Sequence, residues 1–272
     1  MAMTTSAPVT VGPMLRTWRQ RRHLSQLDLA NIAGVTTRHL SFVETGRSRP
    51  SREMVLHLAE NLEVPLRDRN QLLIAAGYAP TFRESSLDDE SFTGVRAALD
   101  RVLAGHEPSP AIIVDRGWNL VSANAAAFVL VEGVDPALLT PPINVMRTSL
   151  HPDGLGRRIR NIDQWTDHIL GRLRRQALIT GDESLHELAD EIDGYAAILG
   201  AVRRPPNERR EDVALPMLLD SRKGPLRLIS TIATFGTALD ITLAELALEA
   251  FLPADAETAA ILQAYAAERA GA

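Results

Sequence analysis

Apolar residues recur at three- and four-residue spacing along most of residues 1–84, and this periodicity predicts a row of short amphipathic helices. Three of these helices are predicted at residues 13–22, 51–62 and 66–76. Two more lie within the window 26–45, QLDLANIAGVTTRHLSFVET. The pattern therefore predicts an N-terminal domain of five helices over residues 1–84, with its core at 13–78.

The window 26–45 has the spacing of a helix-turn-helix. Ala30 stands where the two helices of such a motif approach closely, and Gly34 stands where the turn favours a left-handed backbone. The apolar contacts that would lock the second helix across the first come from Leu29, Ala33, Val35, Leu40 and Val43.

Capping residues place the helix boundaries within this window. Ser25 and Asp28 form a capping box, which predicts that the first helix begins at Gln26. Thr36 is a good N-cap for the second helix. The boundaries agree with the helix-turn-helix spacing.

This N-terminal stretch resembles the phage-repressor and XRE family of regulators. The run RHLSFVETGRSRPSREMVLHLAENLEVPLRDRNQLLIAAGYAP is similar to the MmyB-like branch in particular. The resemblance covers about a quarter of the chain. It implies a lambda-repressor-like fold whose second motif helix reads double-stranded DNA in the major groove.

Four side chains of the second motif helix should face outward if Leu40 and Val43 face the core. Arg38 is the candidate for a bidentate contact to guanine, with a phosphate contact as its alternative. Phe42 is the candidate for contact with a thymine methyl group, unless it folds back onto its own domain. The outward set is Thr37, Arg38, Ser41 and Phe42.

Contacts to phosphates fix register and carry no base information. Gln26, Arg47 and Arg49 match positions that hold phosphates in the resembled family. Glu44 would repel phosphate, so we assign it to a structural pair with Arg16 or Arg19. The residues predicted to contact DNA are Gln26, Thr36, Thr37, Arg38, Ser41, Phe42, Arg47 and Arg49.

A single domain of this kind makes few base contacts. We therefore expect a homodimer on a pseudo-palindromic operator, with half-sites about 34 Å apart or a multiple of that distance.

The charge distribution favours DNA contact by the N-terminal domain only. The whole chain has a net charge of −5, but residues 1–78 hold ten Arg and Lys against six Asp and Glu, which gives +4 there and −9 in the remainder. The chain has no Cys, no signal peptide and no apolar run of membrane-spanning length. We therefore expect a cytoplasmic protein that does not associate with membranes.

The second part of the chain mixes helical and strand-like patterns. A polar, acidic stretch precedes a linker helix that ends at Gly105, so the linker is placed at residues 85–105. The run AIIVDRGWNLVSANAAAFVLV predicts two short strands with a turn at 115–117 and a helix opened by Asn124. Further helices are predicted at 155–178, 185–199 and 256–269, a surface loop at Pro205 and Pro206, and strands at 213–219, 226–235 and 238–243.

The order of these elements predicts an α+β domain at residues 106–272. Two early and three late strands make a five-stranded antiparallel sheet with helices covering one face, which is the PAS arrangement. NVMRTSLHPDGLGRRIRNIDQW and TIATFGTALDITLAELALEAFLP resemble MmyB-like regulators, although the latter departs from the better-known strand pattern. The resemblance implies a PAS-like sensor that binds a small ligand of fatty-acyl character.

An apolar pocket is predicted between the sheet and its covering helices. The sheet would contribute Ile112, Val114, Leu120, Phe235 and Ile241, and the helices Phe128, Met146, Leu150, Trp165 and Ile169. The alternative is that these residues only fill a core.

A polar cluster could hold a carboxylate or carbonyl head group at the mouth of this pocket. Asn144, Arg147 and His151 lie at helical spacing, with Asn161 beyond them. The alternative is that the first three cap and brace the segment before Pro152. The residues predicted to contact the ligand are Phe128, Asn144, Met146, Arg147, Leu150, His151, Trp165, Ile169 and Phe235.

The sequence gives little support for a catalytic site or a metal site. His186 and Glu187 open HELAD, which has Asp190 where a zinc-binding HExxH motif has its second His, and no third ligand is apparent. GxSxG, Walker and GxGxxG motifs are absent. We expect no enzyme, no metal and no cofactor other than a fatty-acid-like ligand. A C-terminal domain that docks a partner protein through its acidic surface, without any small molecule, stays open as the alternative.

Overall fold

Five helices form the N-terminal unit of the computed structural model, which describes residues 10–202 and 214–271. Each predicted helix is found, with ends that differ from the prediction by at most two residues. The helices are α1 (Val11–Arg21), α2 (Gln26–Ile32), α3 (Thr37–Glu44), α4 (Arg52–Asn61) and α5 (Leu66–Ala75).

The predicted caps and turn of the helix-turn-helix are present. Ser25 and Asp28 form a complete capping box at α2, and the hydroxyl of Thr36 accepts a hydrogen bond from the amide of His39 at 3.1 Å. Gly34 has a φ of 64°, and a Cβ atom there would meet nothing within 4 Å. Its left-handed backbone, and not crowding, is therefore what favours glycine at this turn.

A close approach of α1 to α3 fixes the position of α3. A Cβ atom on Gly12 would lie 2.5 Å from the carbonyl oxygen of Val43, so only glycine fits at this point of α1. Leu15, Leu29 and Leu40 are fully buried between α1, α2 and α3. Ala30 is 1% exposed, as the spacing of the motif predicts.

The same contact contains a buried ion pair. Arg19 Nε donates to one carboxylate oxygen of Glu44 at 2.7 Å, and its Nη2 donates to the other at 2.9 Å. These hydrogen bonds hold the pKa of Arg19 above its ordinary value. Of the two arginines that the sequence offered, Arg19 is the partner of Glu44, whereas Arg16 is exposed.

The second unit is built on a five-stranded antiparallel sheet with the strand order β2-β1-β5-β4-β3. The two early strands were predicted, and the strands predicted at 213–219 and 226–235 overlap β3 and β4. Residue 213 lies outside the described residues, as does the predicted loop at Pro205 and Pro206. The strands are β1 (Ala111–Val114), β2 (Leu120–Ala123), β3 (Met217–Ser221), β4 (Gly224–Thr234) and β5 (Ala247–Pro253).

The fifth strand does not lie where the sequence analysis placed it. Residues 238–243 run into the short helix α10 (Ile241–Ala244), and the central strand β5 follows that helix. In β5, Ala247, Glu249 and Phe251 share one face, while Leu248 and Ala250 share the other. This strand is apolar on both faces apart from Glu249, so it lacks the alternation that marks a half-buried strand.

Helices cover both faces of the sheet, and not one face as predicted. Helix α6 (Thr93–Ala104), within the predicted linker, packs Leu99 and Leu103 against Ile113 and Leu248. The other face carries the larger core. Its helices are a 3₁₀ helix (Ala125–Val131), α7 (Val145–Leu150), α8 (Ile162–Thr180), α9 (Glu183–Ile198) and α11 (Ala256–Ala270). No helix among the described residues is long and apolar enough to span a membrane.

The buried ion pair gives a direct test of what holds α3 in place. Arg19→Ala leaves the Glu44 carboxylate buried without its cation, so the free energy of unfolding of the N-terminal unit should fall by about 3 kcal/mol. Arg16→Ala removes an exposed guanidinium from the same helix and should change it by less than about 0.5 kcal/mol. Hydrogen exchange of α3 peptides, followed by mass spectrometry, measures both effects. Equal protection of α3 in the two variants would contradict the assignment.

Candidate nucleic-acid interface and ligand cavity

Helix α3 presents the outward face that the sequence predicted. Leu40, Val43 and Glu44 are buried against the rest of the unit, so the opposite side of the helix is left accessible. Arg38 is exposed at this side. Thr37, Ser41 and Phe42 are partly exposed beside it.

Phe42 lies between two arginines instead of folding into the core. The guanidinium carbon of Arg38 is 5.4 Å from the centre of the Phe42 ring, and that of Arg47 is 5.9 Å from it. Cation–π attraction of this kind is worth about 0.5–1 kcal/mol at exposed sites. The ring therefore holds one cation on α3 and one in the following loop on the same surface. Within the described part of the chain, neither arginine has a carboxylate partner.

Three of the predicted DNA contacts already have partners within the protein. The side-chain amide of Gln26 donates to Glu44 at 2.8 Å, and Thr36 caps α3. Arg49 donates to the carbonyl oxygen of Ala76 from Nη2 at 2.9 Å and lies over the ring of Tyr78. These contacts assign Gln26, Thr36 and Arg49 a structural task in the free protein.

The second unit contains an apolar cavity of about 590 Å³ on the larger-core face of the sheet. It lies between strands β1, β2 and β5 and the 3₁₀ helix, α7 and α8. Phe128 is 70% exposed although it lines the cavity, which places it at the opening. Six of the predicted lining residues are present, namely Ile112, Leu120, Phe128, Met146, Trp165 and Ile169.

Two charged side chains, which the sequence analysis did not identify, also line this cavity. Glu249 of β5 is 2% exposed, and Arg172 of α8 donates to its carboxylate from Nη1 at 2.9 Å. The hydroxyl of Ser230 on β4 donates to the same carboxylate. The Arg172 guanidinium lies 4.3 Å from the centre of the Trp118 ring. A charged residue at a core-facing strand position was the available signal, but it is visible only once β5 is placed correctly.

The predicted head-group residues are placed differently from our expectation. Asn144 is the N-cap of α7 and donates to the carbonyl oxygen of Gly117 at 2.8 Å. Arg147 donates to Glu191 on α9 at 2.7 Å, and this contact keeps the pKa of the Glu191 carboxyl below its ordinary value. None of Asn144, Arg147 and His151 is among the residues that line the cavity.

His151 and Asn161 also make hydrogen bonds within the protein. The Nδ1 atom of His151 accepts a hydrogen bond from the amide of Asp153 at 3.0 Å. Asn161 bridges to β3, where it accepts from the amide of Leu218 at 2.9 Å. Each of these polar residues thus makes at least one hydrogen bond within the protein, as capping and bracing residues do.

Four apolar residues of the predicted pocket also lie elsewhere. Leu150 and Val114 are buried in the larger core, outside the cavity lining. Phe235 packs against the α6 side of the sheet, and Ile241 begins α10. The reason is that β4 ends at Thr234, so the chain leaves the sheet before these two residues.

His186, Glu187 and Asp190 lie on α9 without further ligands. Among the described residues, no group of three or more His, Asp or Glu side chains is arranged to hold a metal ion.

Two family models match the chain. Residues 95–264 match the MmyB-like transcription regulator ligand binding domain, and residues 15–68 match the helix-turn-helix family. The matches confirm the resemblance drawn from the sequence and identify the first unit as an XRE-type DNA-binding domain. No curated protein matches the chain.

The two loop arginines should differ in their effect on DNA affinity. Arg47→Ala should weaken binding to any duplex and reduce the slope of log K against log salt by about 1, because one phosphate contact is lost. Arg49→Ala should leave the slope unchanged, since Ala76 and Tyr78 hold that guanidinium. Fluorescence anisotropy of a labelled duplex at several salt concentrations measures the slopes. If the slope of log K against log salt fell only in Arg49→Ala, the phosphate contact would belong to Arg49 and not to Arg47.

Proposed function

We propose, since the chain belongs to the family of MmyB-like transcription regulators, that it binds a specific operator and that a small apolar ligand modulates this binding. Residues 1–84 would bind DNA and residues 106–272 would bind the ligand, while residues 85–105, predicted as a linker, would contribute α6 to the second unit. The single observation that carries the proposal is the apolar cavity of about 590 Å³ in the second unit.

The cavity has the properties of a site for a small molecule. Its volume lies within the range of about 300–1,000 Å³ that is typical of ligand pockets. Its lining is apolar except for a few polar groups, and Phe128 at the opening offers a side chain that a ligand would displace. A ligand of fatty-acyl character suits such a lining.

Operator recognition is assigned to the outward face of α3. Arg38 would contact guanine, Phe42 would contact a thymine methyl group, and Thr37 and Ser41 would add polar contacts. Arg47 would hold a phosphate, and the ring that it shares with Arg38 would orient both cations before DNA arrives. We expect no catalytic activity from either unit.

A bulky side chain that fills the cavity should remove the effect of ligand on operator affinity and leave operator binding itself intact. Val145 lines the cavity and Val102 is an exposed residue of α6, so tryptophan substitutions at the two positions form a matched pair. One of a panel of long-chain fatty acids and acyl esters should shift the operator affinity of the wild-type protein at least fivefold, a typical allosteric coupling of about 1 kcal/mol. Val145→Trp should abolish this shift, and Val102→Trp should retain it. Anisotropy of a labelled operator, selected by the protein from random duplexes, gives the affinities.

The contrary outcome is tight operator binding that no member of the panel changes. Native mass spectrometry of the purified protein then provides the second measurement. If no lipid-like mass copurifies with the protein, the result would favour the partner-protein alternative. In that alternative the second unit, with its acidic charge, is an interaction module.

The small number of outward side chains on α3 also predicts the oligomeric state on DNA. One α3 presents four outward side chains, too few for a specific site, so we expect two chains on one pseudo-palindromic operator with half-sites about 34 Å apart. Sedimentation velocity of the labelled operator with the protein should give a complex of two chains. A complex of one chain on a fully bound operator contradicts this expectation.

A further inference from the structure

The ion pair at the cavity limits the chemistry of the ligand. We propose that the cavity accepts an uncharged molecule, an apolar chain that carries a hydroxyl or ester oxygen, and that Glu249 discriminates against free carboxylic acids. This inference rests on the proposed function, because it concerns the ligand of the same cavity.

The position of Glu249 is set by the sheet. Glu249 lies on the central strand β5, between Ala247 and Phe251 on the cavity face. It pairs with Ile112 on one side and Ile232 on the other. Its side chain is 3% exposed, so water does not stabilise its charge. The carboxylate therefore depends on the protein groups that surround it.

Those groups engage two of the three guanidinium nitrogens of Arg172, whereas its buried Nε has no hydrogen-bond partner among the described residues. Its Nη1 donates to Glu249 at 2.9 Å, and its Nη2 contacts the second carboxylate oxygen at 3.5 Å and the Met146 sulfur at 3.6 Å. The Trp118 ring covers the guanidinium. Among the described residues that line the cavity, the one positive charge is thus matched by the one negative charge.

Neutral polar capacity remains beside this pair. Ser149 lines the cavity and accepts a hydrogen bond from Trp165 Nε1 at 3.2 Å, which leaves its own O–H to donate. A ligand oxygen can accept that hydrogen bond. The carboxylate of Glu249 can accept one from a ligand hydroxyl. Hydrogen bonds of this kind need no additional charge in the apolar cavity.

A ligand carboxylate would have no such match. Its negative charge would enter an apolar site in which Arg172, the one cation among the described lining residues, already balances Glu249. A net negative charge would then be buried, which is strongly unfavourable. Glu249→Gln removes the competing charge with little change in shape. Arg172 would then be free to pair with an anionic head group.

A matched pair of ligands tests this inference. Dodecan-1-ol and dodecanoate share one alkyl chain, and each can displace a polarity-sensitive fluorescent dye from the full-length protein at pH 7.5. The wild-type protein should bind the alcohol at least tenfold more tightly. Glu249→Gln should raise the affinity for dodecanoate at least tenfold and change that for the alcohol less than threefold. Val102→Trp should behave as wild type, which controls for substitution outside the cavity.

A measurement on the wild-type protein keeps the test independent of variant folding. Lowering the pH from 7.5 to 5 converts part of the dodecanoate to its neutral acid, so its affinity should rise while that of the alcohol stays constant. Dodecanoate that binds as tightly as the alcohol at pH 7.5, with no effect of Glu249→Gln or of pH, overturns the inference and leaves the proposed function standing. If neither compound displaces the dye, both the inference and the proposed function are contradicted.

Discussion

The buried Arg19–Glu44 ion pair is the constraint on which the DNA-reading surface depends. A carboxylate in a protein interior must be paired, and Glu44 is the last residue of the recognition helix. Its partner on α1 therefore fixes the rotation of α3 about its own axis. Gly12 has no side chain, so the backbone of α1 can approach the backbone of α3 directly at this point. With Glu44 turned inward, the helical period turns Arg38 and Phe42 outward.

The signals that the sequence analysis read correctly are local ones. The Ser25 capping box, the left-handed backbone at Gly34 and the small side chain of Ala30 each follow from a few neighbouring residues. Short-range steric and hydrogen-bonding rules are enough to place the five N-terminal helices. The same holds for the turn between β1 and β2, where Asp115 accepts from the amides of Gly117 and Asn119.

The misplaced elements depend on contacts between distant parts of the chain. Strand β5 is central in the sheet. On one side it pairs with β1, which lies more than 100 residues earlier in the sequence, so that Ile112 is opposite Glu249. It is buried on both faces, so its pattern does not alternate between apolar and polar positions. The sequence predicts Arg147 as a head-group ligand because it does not reveal the partner of Arg147, Glu191, which lies on another helix. The Arg172–Glu249 pair was missed for the same reason: neither residue is informative without the other.

Strand β5 also connects the ligand cavity to the opposite face of the sheet. Glu249 and Phe251 face the cavity, while Leu248 and Ala250 support α6, so any displacement of β5 is felt on both sides. A close-packed interior transmits such displacements, because neighbouring side chains leave no space to absorb them. Proximity alone does not produce regulation, since a ligand shifts an equilibrium only by its difference in affinity between two states. The Arg172–Glu249 pair is suited to create that difference, because a state that separates the two charges inside an apolar cavity is strongly disfavoured, and an uncharged ligand that hydrogen-bonds to Glu249 would favour the state in which the pair is intact.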